Sequence, residues 1–371
     1  MPTPAASGSP VDLVLHIGMG KTGTTSVQRF MHRNRALLAE AGLLYPRSPV
    51  RSRHLRLSLY AQSDDKLPTM PSWRRLGLTS PEKFRRSFPR RLAREIGESG
   101  LSRVLLSDEA LFGAPDAGLQ RIRGLTDRIA ASLRLVVYLR RQDDHLVSRY
   151  QQVVKTGETR RLAGPTPAAG TADTGWADRQ GANTYDYHAR LRTWQLLLDP
   201  DELVVRRFEP GSFVDGSLYQ DFLDAAGVDV CADDLEPVEI ANESLDAESV
   251  EFLRILNLLR REHEELAALV PGNHPLVLRL AEVCDGPTLT MTSSLLDEFM
   301  DRWEESNRRV AREMLGDASG QLFARPRKTR NTTSEQFLDP ARLDHFLALL
   351  ELPEQMHAPL RALAEREAQG R

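Results

Sequence analysis

Residues 11–31, VDLVLHIGMGKTGTTSVQRFM, change their hydrophobic period in mid-run. Val11, Leu13, Val14, Leu15 and Ile17 form a nearly unbroken run of β-formers, the pattern of a parallel strand buried on both faces. From Thr24 onward Val27, Phe30 and Met31 recur at helical spacing, with Leu37 and Leu38 further along. Between strand and helix lies a turn of Gly18, Gly20 and Gly23 around Lys21, followed by the hydroxyls of Thr22, Thr24, Thr25 and Ser26. Such a turn aims backbone N–H groups and the positive end of the helix dipole at one spot, where an anion is favoured. Glycines allow close approach of the backbone, and Lys21 adds a full charge.

The nucleoside triphosphate version of this turn is G-x-x-x-x-G-K-[ST]. Counting back from Gly20-Lys21-Thr22 places Leu15, inside the strand, where its first glycine belongs, so that pattern fails. What remains, G-x-G-K-T-G-T-T-S, resembles the 5′-phosphosulfate loop of sulfotransferases that use 3′-phosphoadenosine 5′-phosphosulfate (PAPS). A second stretch, LVVYLRRQDDHLVSRYQQ at 135–152, again reads as a buried strand running into a helix. Arg140 closes that strand and Ser148 follows eight positions later, about two helical turns on. In the same family an Arg at a strand end and a Ser eight residues later hold the nucleotide 3′-phosphate. A guanidinium fork with one hydroxyl suits that group, which distinguishes PAPS from ATP. The family often carries Pro shortly after the Arg, whereas here Arg141, Gln142, Asp143 and Asp144 follow, closer to bacterial members. Arg141 is the reserve for Arg140.

The resemblance implies a three-layer α/β sandwich with a central parallel sheet, P-loop NTPase-like, and sulfuryl transfer from PAPS to a hydroxyl or amine of a carbohydrate, lipid or small-molecule acceptor. The cofactor-binding set it implies is Gly20, Lys21, Thr22, Gly23, Thr24, Thr25, Ser26, Arg140 and Ser148, with no metal. Lys21 is expected to neutralise the leaving phosphate oxygen. A general base must reach the acceptor hydroxyl. Glu109, just after the short apolar strand of Arg103-Val-Leu-Leu-Ser, is the first choice, at the strand edge where ligands gather in open α/β sheets. His54 is the rival, because an unperturbed imidazole titrates near neutrality, and Asp108 comes third. The family's R-K-G-x-x-G segment is missing near the C-terminus; Arg325-Pro-Arg-Lys-Thr-Arg330 either stands in for it or is a solvated loop. The alternatives are a P-loop kinase using ATP and magnesium, or a nucleotide-binding module without catalysis.

Strands alternate with helices to about Phe208, and helical pattern dominates afterwards, with one helix over Phe252 to Leu259. This predicts a single α/β domain over 11–350 with a helical C-terminal portion, a disordered stretch at 1–10 and a helical tail at 351–371. Residues 158–183, rich in Gly, Ala, Thr and Pro, read as a mobile loop that could act as a lid, with Trp176 as an acceptor contact. The longest apolar runs are far short of the ~20 residues needed to cross a bilayer, and no signal peptide is visible. Two widely separated cysteines, Cys231 and Cys284, are expected to be reduced, which points to the cytoplasm. A net charge of −3 argues against a general nucleic-acid binder. The arginines nevertheless crowd into 47–94, either as a solvated helix face or as a border that attracts an anionic acceptor.

Overall fold

A computed structural model describes residues 9–48, 50, 52–163, 176–177, 182–238, 244–270, 272–327 and 329–369. The chain groups into two compact units. The first comprises Met1–Arg141, Ala182–Ile240 and Trp303–Arg325; the second comprises Gln142–Gly181, Ala241–Arg302 and Pro326–Arg371.

The first unit is built on an all-parallel five-stranded sheet in the order β2-β3-β1-β4-β5. Its strands are β1 (Val11–His16), β2 (Leu43–Leu44), β3 (Arg103–Ser107), β4 (Ala130–Leu139) and β5 (Glu202–Arg207). The helices that matter below are α1 (Thr24–Arg33), α2 (Leu55–Ala61), α3 (Pro81–Ser99), α4 (Asp116–Ile129), α5 (Tyr187–Leu198) and α6 (Leu218–Ala225).

Alternation along each strand divides its side chains between two cores, as the pleat requires. Leu13 and Leu15 of β1, Val104 and Leu106 of β3, and Leu135 and Val137 of β4 share a core with Leu57 of α2, Phe88 of α3, Ile122 of α4 and Trp194 of α5. Val14, Leu105 and Val136 face the other way, onto Val27, Phe30 and Met31 of α1 and Phe222 of α6. The sheet is thereby a filling between two helical layers, which is why β1 reads as a nearly continuous apolar run, interrupted by the exposed Asp12.

This layering fixes where a site can form. The chain leaving β1 enters α1 on one face, while the chain leaving the neighbouring strand β3 leads to α4 on the opposite face. The two connections part at the carboxyl ends of adjacent strands, the place where open α/β sheets receive ligands.

The second unit centres on the helix Ala247–Glu262, buried along almost its whole length. Arg254 inside it is held by Glu251 at 2.6 Å and Glu367 at 2.6 Å, so a buried guanidinium is matched by carboxylates. Asn257 Nδ2 donates to the carbonyls of Val154 (2.8 Å) and Glu158 (3.0 Å), tying off the end of the helix Gln142–Lys155. A two-stranded parallel ribbon pairs Thr288–Leu289 with Thr332–Thr333. Residues of the expected 351–371 tail belong to this unit, including its helix His357–Gln369. Among the described residues, no helix is long and apolar enough to cross a membrane.

Packing of α4 on α2 depends on Gly118, where an added Cβ would strike the carbonyl of Ala61. We expect Gly118→Ala to destabilise the protein by about 1–3 kcal/mol through this overpacking. Urea denaturation followed by circular dichroism measures it, and an unchanged midpoint would contradict the close approach.

Candidate functional site

Three residues with left-handed backbone shape the loop between β1 and α1: Gly18 (φ 47°), Lys21 (φ 68°) and Gly23 (φ 69°). Glycine accepts this conformation at little cost, whereas a lysine there carries strain on the order of 1–3 kcal/mol. Gly18 is also forced by contact, since a Cβ would lie 2.7 Å from the Cα of Glu109. At Gly23 a Cβ would lie 2.5 Å from Leu218. The space in front of Gly20 is open. Gly23 serves as the N-cap of α1 and supplies no side-chain cap, and no carboxylate lies in the first turn. The N–H groups of a first turn have no partner within their helix, and here neither an N-cap side chain nor an acid in the first turn offsets the positive end of the dipole.

The hydroxyls of the loop divide into different roles. Thr22 is buried and donates to the carbonyl of Met19 at 2.6 Å, so its proton braces the loop. Thr24 is buried, Ser26 half-buried and Thr25 exposed. Arg140, at the end of β4, donates from Nη1 to the carbonyl of Lys21 at 2.9 Å. Its own carbonyl accepts from the Tyr187 hydroxyl at 2.6 Å. Loop and strand-end arginine, separated by 119 positions, therefore meet. Arg141 donates to the carbonyl of Arg325 at 3.2 Å. Ser148 is half-buried on the helix Gln142–Lys155, in the second unit.

Glu109 opens a short 3₁₀ turn directly after β3. Its Oε1 lies 3.0 Å from Arg53 Nη1 and its Oε2 accepts from Gln28 Nε2 at 3.0 Å. Burial and the adjacent Asp108 raise its pKa above the usual carboxylate range, against the pull of Arg53 and Gln28. Asp108 is fully buried and its oxygens are saturated: Arg53 forks both at 3.1 and 3.0 Å, Ala110 N donates at 2.8 Å, and Ser58 Oγ donates at 3.2 Å. That makes Asp108 a clamp and cap, with no lone pair directed outward for a substrate proton.

His54 corrects the sequence expectation of a rival base. It is fully buried, with Nδ1 accepting from the Ser107 amide at 2.9 Å and Nε2 donating to the Pro46 carbonyl at 3.0 Å. Burial lowers its pKa to about 3. Neither nitrogen is presented to an acceptor; the ring instead fastens the segment before α2 to β3. The missed residues were Arg53, counted only among the basic run, and Gln28, whose signal is a polar amide next to Val27 on the buried face of α1.

The other expectations have mixed outcomes. Arg327 pairs with Asp143 and Asp297, each at 2.8 Å, within the second unit, so its guanidinium is committed to carboxylates, and Lys328 lies outside the described residues. Trp176 is buried, 5.6 Å from the Tyr150 ring, which is not the exposed setting of an acceptor contact. Most of the proposed lid, including 164–175, also lies outside the described residues. In the basic run, Arg85 is engaged with the carbonyls of Tyr60 and Gln62 and with Asp64, whereas Arg90, Arg91 and Arg94 are exposed on α3. Among the described residues, no group of three or more His, Cys, Asp or Glu side chains is arranged to hold a metal ion.

No family model matches this sequence. An uncharacterized protein of Archaeoglobus fulgidus is 28% identical over 187 residues, covering 49% of this chain and 46% of that protein, so the match spans about half the length of each. The crystal structure of a sulfotransferase from Alicyclobacillus acidocaldarius aligns over 71% of this chain and 98% of its own, with a TM-score of 0.37 and 13% identity. That likeness is too coarse to carry chemistry from one chain to the other.

Two buried imidazoles set a pH dependence. Burial lowers the pKa of both His16 and His54 from 6.5 to about 3. Over that window the unfolded chain binds more protons than the native one, so stability is full above pH 6.5 and falls as pH drops toward 3. Thermal unfolding across this range should show the fall, and a midpoint independent of pH would contradict it.

Proposed function

We propose that the protein is a sulfotransferase that moves a sulfuryl group from PAPS to a hydroxyl or amine of a carbohydrate, lipid or small-molecule acceptor. The observation that carries this reading is the meeting of Arg140 with the Lys21 carbonyl. The sequence elements that resemble the 5′-phosphosulfate loop and the 3′-phosphate arginine lie far apart in the chain yet touch at the carboxyl edge of the sheet. An anion cradle with a guanidinium on its rim suits a nucleotide that bears phosphates on both its 5′ and 3′ sides. The uncapped start of α1 and the open space at Gly20 fit a phosphate held by backbone N–H groups.

In this reading Gly20, Gly23 and the first turn of α1 hold the 5′-phosphosulfate, with Thr24, Thr25 and Ser26 contributing hydroxyls. Thr22 acts through the loop's shape. Arg140 holds the 3′-phosphate; the part assigned to Ser148 rests on its spacing in the sequence alone. The acceptor oxygen attacks sulfur while the bond from sulfur to the bridging phosphate oxygen breaks. The acceptor proton passes to Glu109, and the charge left on the phosphate oxygen is met by Lys21. A carboxylate whose pKa is raised by burial is a stronger base than an exposed one, and it still works in its ionised form. The strained backbone at Lys21 fits a position where the lysine side chain is needed more than the conformational ease of glycine.

The test is Glu109→Gln, assayed with sulfur-labelled PAPS against a panel of sugar, lipid and phenolic acceptors. We expect adenosine 3′,5′-bisphosphate to bind within about twofold of wild type while turnover falls by about 10²–10⁴-fold. Unchanged turnover at saturating substrate would remove Glu109 from the mechanism.

A further inference from the structure

Glu109 is joined to the helix that starts at the anion cradle. Gln28, on α1 and 3% exposed, places its Nε2 3.0 Å from Glu109 Oε2 and 3.2 Å from Ser107 Oγ. Ser107 Oγ in turn lies 2.8 Å from His16 Nδ1. The direction of this chain follows from the chemistry of its members. An ionised carboxylate only accepts, so the amide NH₂ of Gln28 faces it, and the second hydrogen of that nitrogen goes to Ser107. Ser107 then gives its own proton to His16 Nδ1. Burial keeps His16 neutral, which leaves its Nδ1 able to accept.

The other oxygen of Glu109 is held from a different element. Arg53, just before α2, reaches Oε1 while its remaining nitrogens fork Asp108. Backbone contact completes the frame, because Gly18 of the cradle lies flat against Glu109. The carboxylate is thus gripped from α1 on one side and from the segment before α2 on the other, while Gly18 of the cradle packs against the Glu109 backbone.

We propose that Gln28 is a positioning residue, which fixes the Glu109 carboxylate to the helix that begins at the donor cradle, so that proton removal and donor binding share one rigid frame. The inference rests on the reading of Glu109 as the base. A residue that only filled the core would be replaceable by an apolar side chain of equal length. Gln28 is not, because it supplies one of the two side-chain donors that favour the ionised form of Glu109. The charged and titratable groups that bear on Glu109 are Asp108 on its own segment, Arg53 before α2, and the Tyr45 hydroxyl after β2. Asp108 disfavours a second negative charge, and Arg53 with Gln28 favours it.

The experiment compares wild type with Gln28→Met, which keeps length and bulk without a donor, and Gln28→Glu, which substitutes a carboxylate. Glu109 is titrated through its carboxyl-carbon NMR signal, assigned by its loss in Glu109→Gln, and adenosine 3′,5′-bisphosphate binding is measured by calorimetry. Sulfate release from PAPS, with water as acceptor, is followed across pH. We expect the Glu109 midpoint to rise in Gln28→Met and further in Gln28→Glu, with bisphosphate affinity within about twofold of wild type. Turnover of Gln28→Met should fall about tenfold on the acid side and recover toward wild type as pH rises. An unchanged midpoint in both variants, with bisphosphate still bound, overturns the role of Gln28 alone. A wild-type protein that binds no bisphosphate overturns the sulfuryl-transfer reading, and this role with it.

Discussion

The close approach of Gly18 to Glu109 is the constraint on which the rest of the site depends. The turn after β1 can lie against the turn after β3 only because position 18 has no Cβ and adopts a left-handed backbone. From that contact follow the entry of α1 and the placement of Gln28 beneath Glu109. The sheet order makes the contact available, because β1 and β3 are hydrogen-bonded neighbours whose following helices pass to opposite faces. A local steric fact and a topological one thus coincide at a single edge of the sheet.

Electrostatics around this edge follow a division of labour. Arg53 holds two carboxylates at once, which lets Asp108 stay buried as a clamp while Glu109 remains half-buried at the surface. Without that guanidinium, adjacent carboxylates in a desolvated turn would repel each other, and one would take up a proton. Arg140 does the corresponding work on the far side of β1, where it braces the cradle through the backbone carbonyl of Lys21. The positive charges of the site are in this way carried by Lys21 in the loop after β1, Arg53 just before α2 and Arg140 just after β4.

How much of this was legible in the sequence depended on whether a residue's role is local or tertiary. The apolar runs at β1, β3, β4 and β5 and the helical spacing after Thr24 mark their elements directly, because burial of most of these strand positions leaves few polar interruptions to misread. The glycines around Lys21 were legible for the same reason, since a backbone requirement is written in residue type. His54 was misread because nothing in Arg53-His-Leu-Arg reveals that the ring turns inward to the Ser107 amide and the Pro46 carbonyl. Gln28 was passed over because one amide on an apolar helix face shows its purpose only when the end of β3 is beside it. The division into two units was equally hidden, as the helix Gln142–Lys155 continues from β4 within a few residues yet belongs to the second unit.

The central claim is that the cradle at Lys21 and the guanidinium of Arg140 receive a nucleotide with phosphates on both its 5′ and 3′ sides. Calorimetric titration with adenosine 3′,5′-bisphosphate, AMP and ATP with magnesium, on wild type and Arg140→Ala, tests it most directly. The account predicts that the bisphosphate binds at least about tenfold tighter than AMP, and that Arg140→Ala removes the preference. Tighter binding of ATP with magnesium, or a preference for the bisphosphate that survives Arg140→Ala, would contradict it.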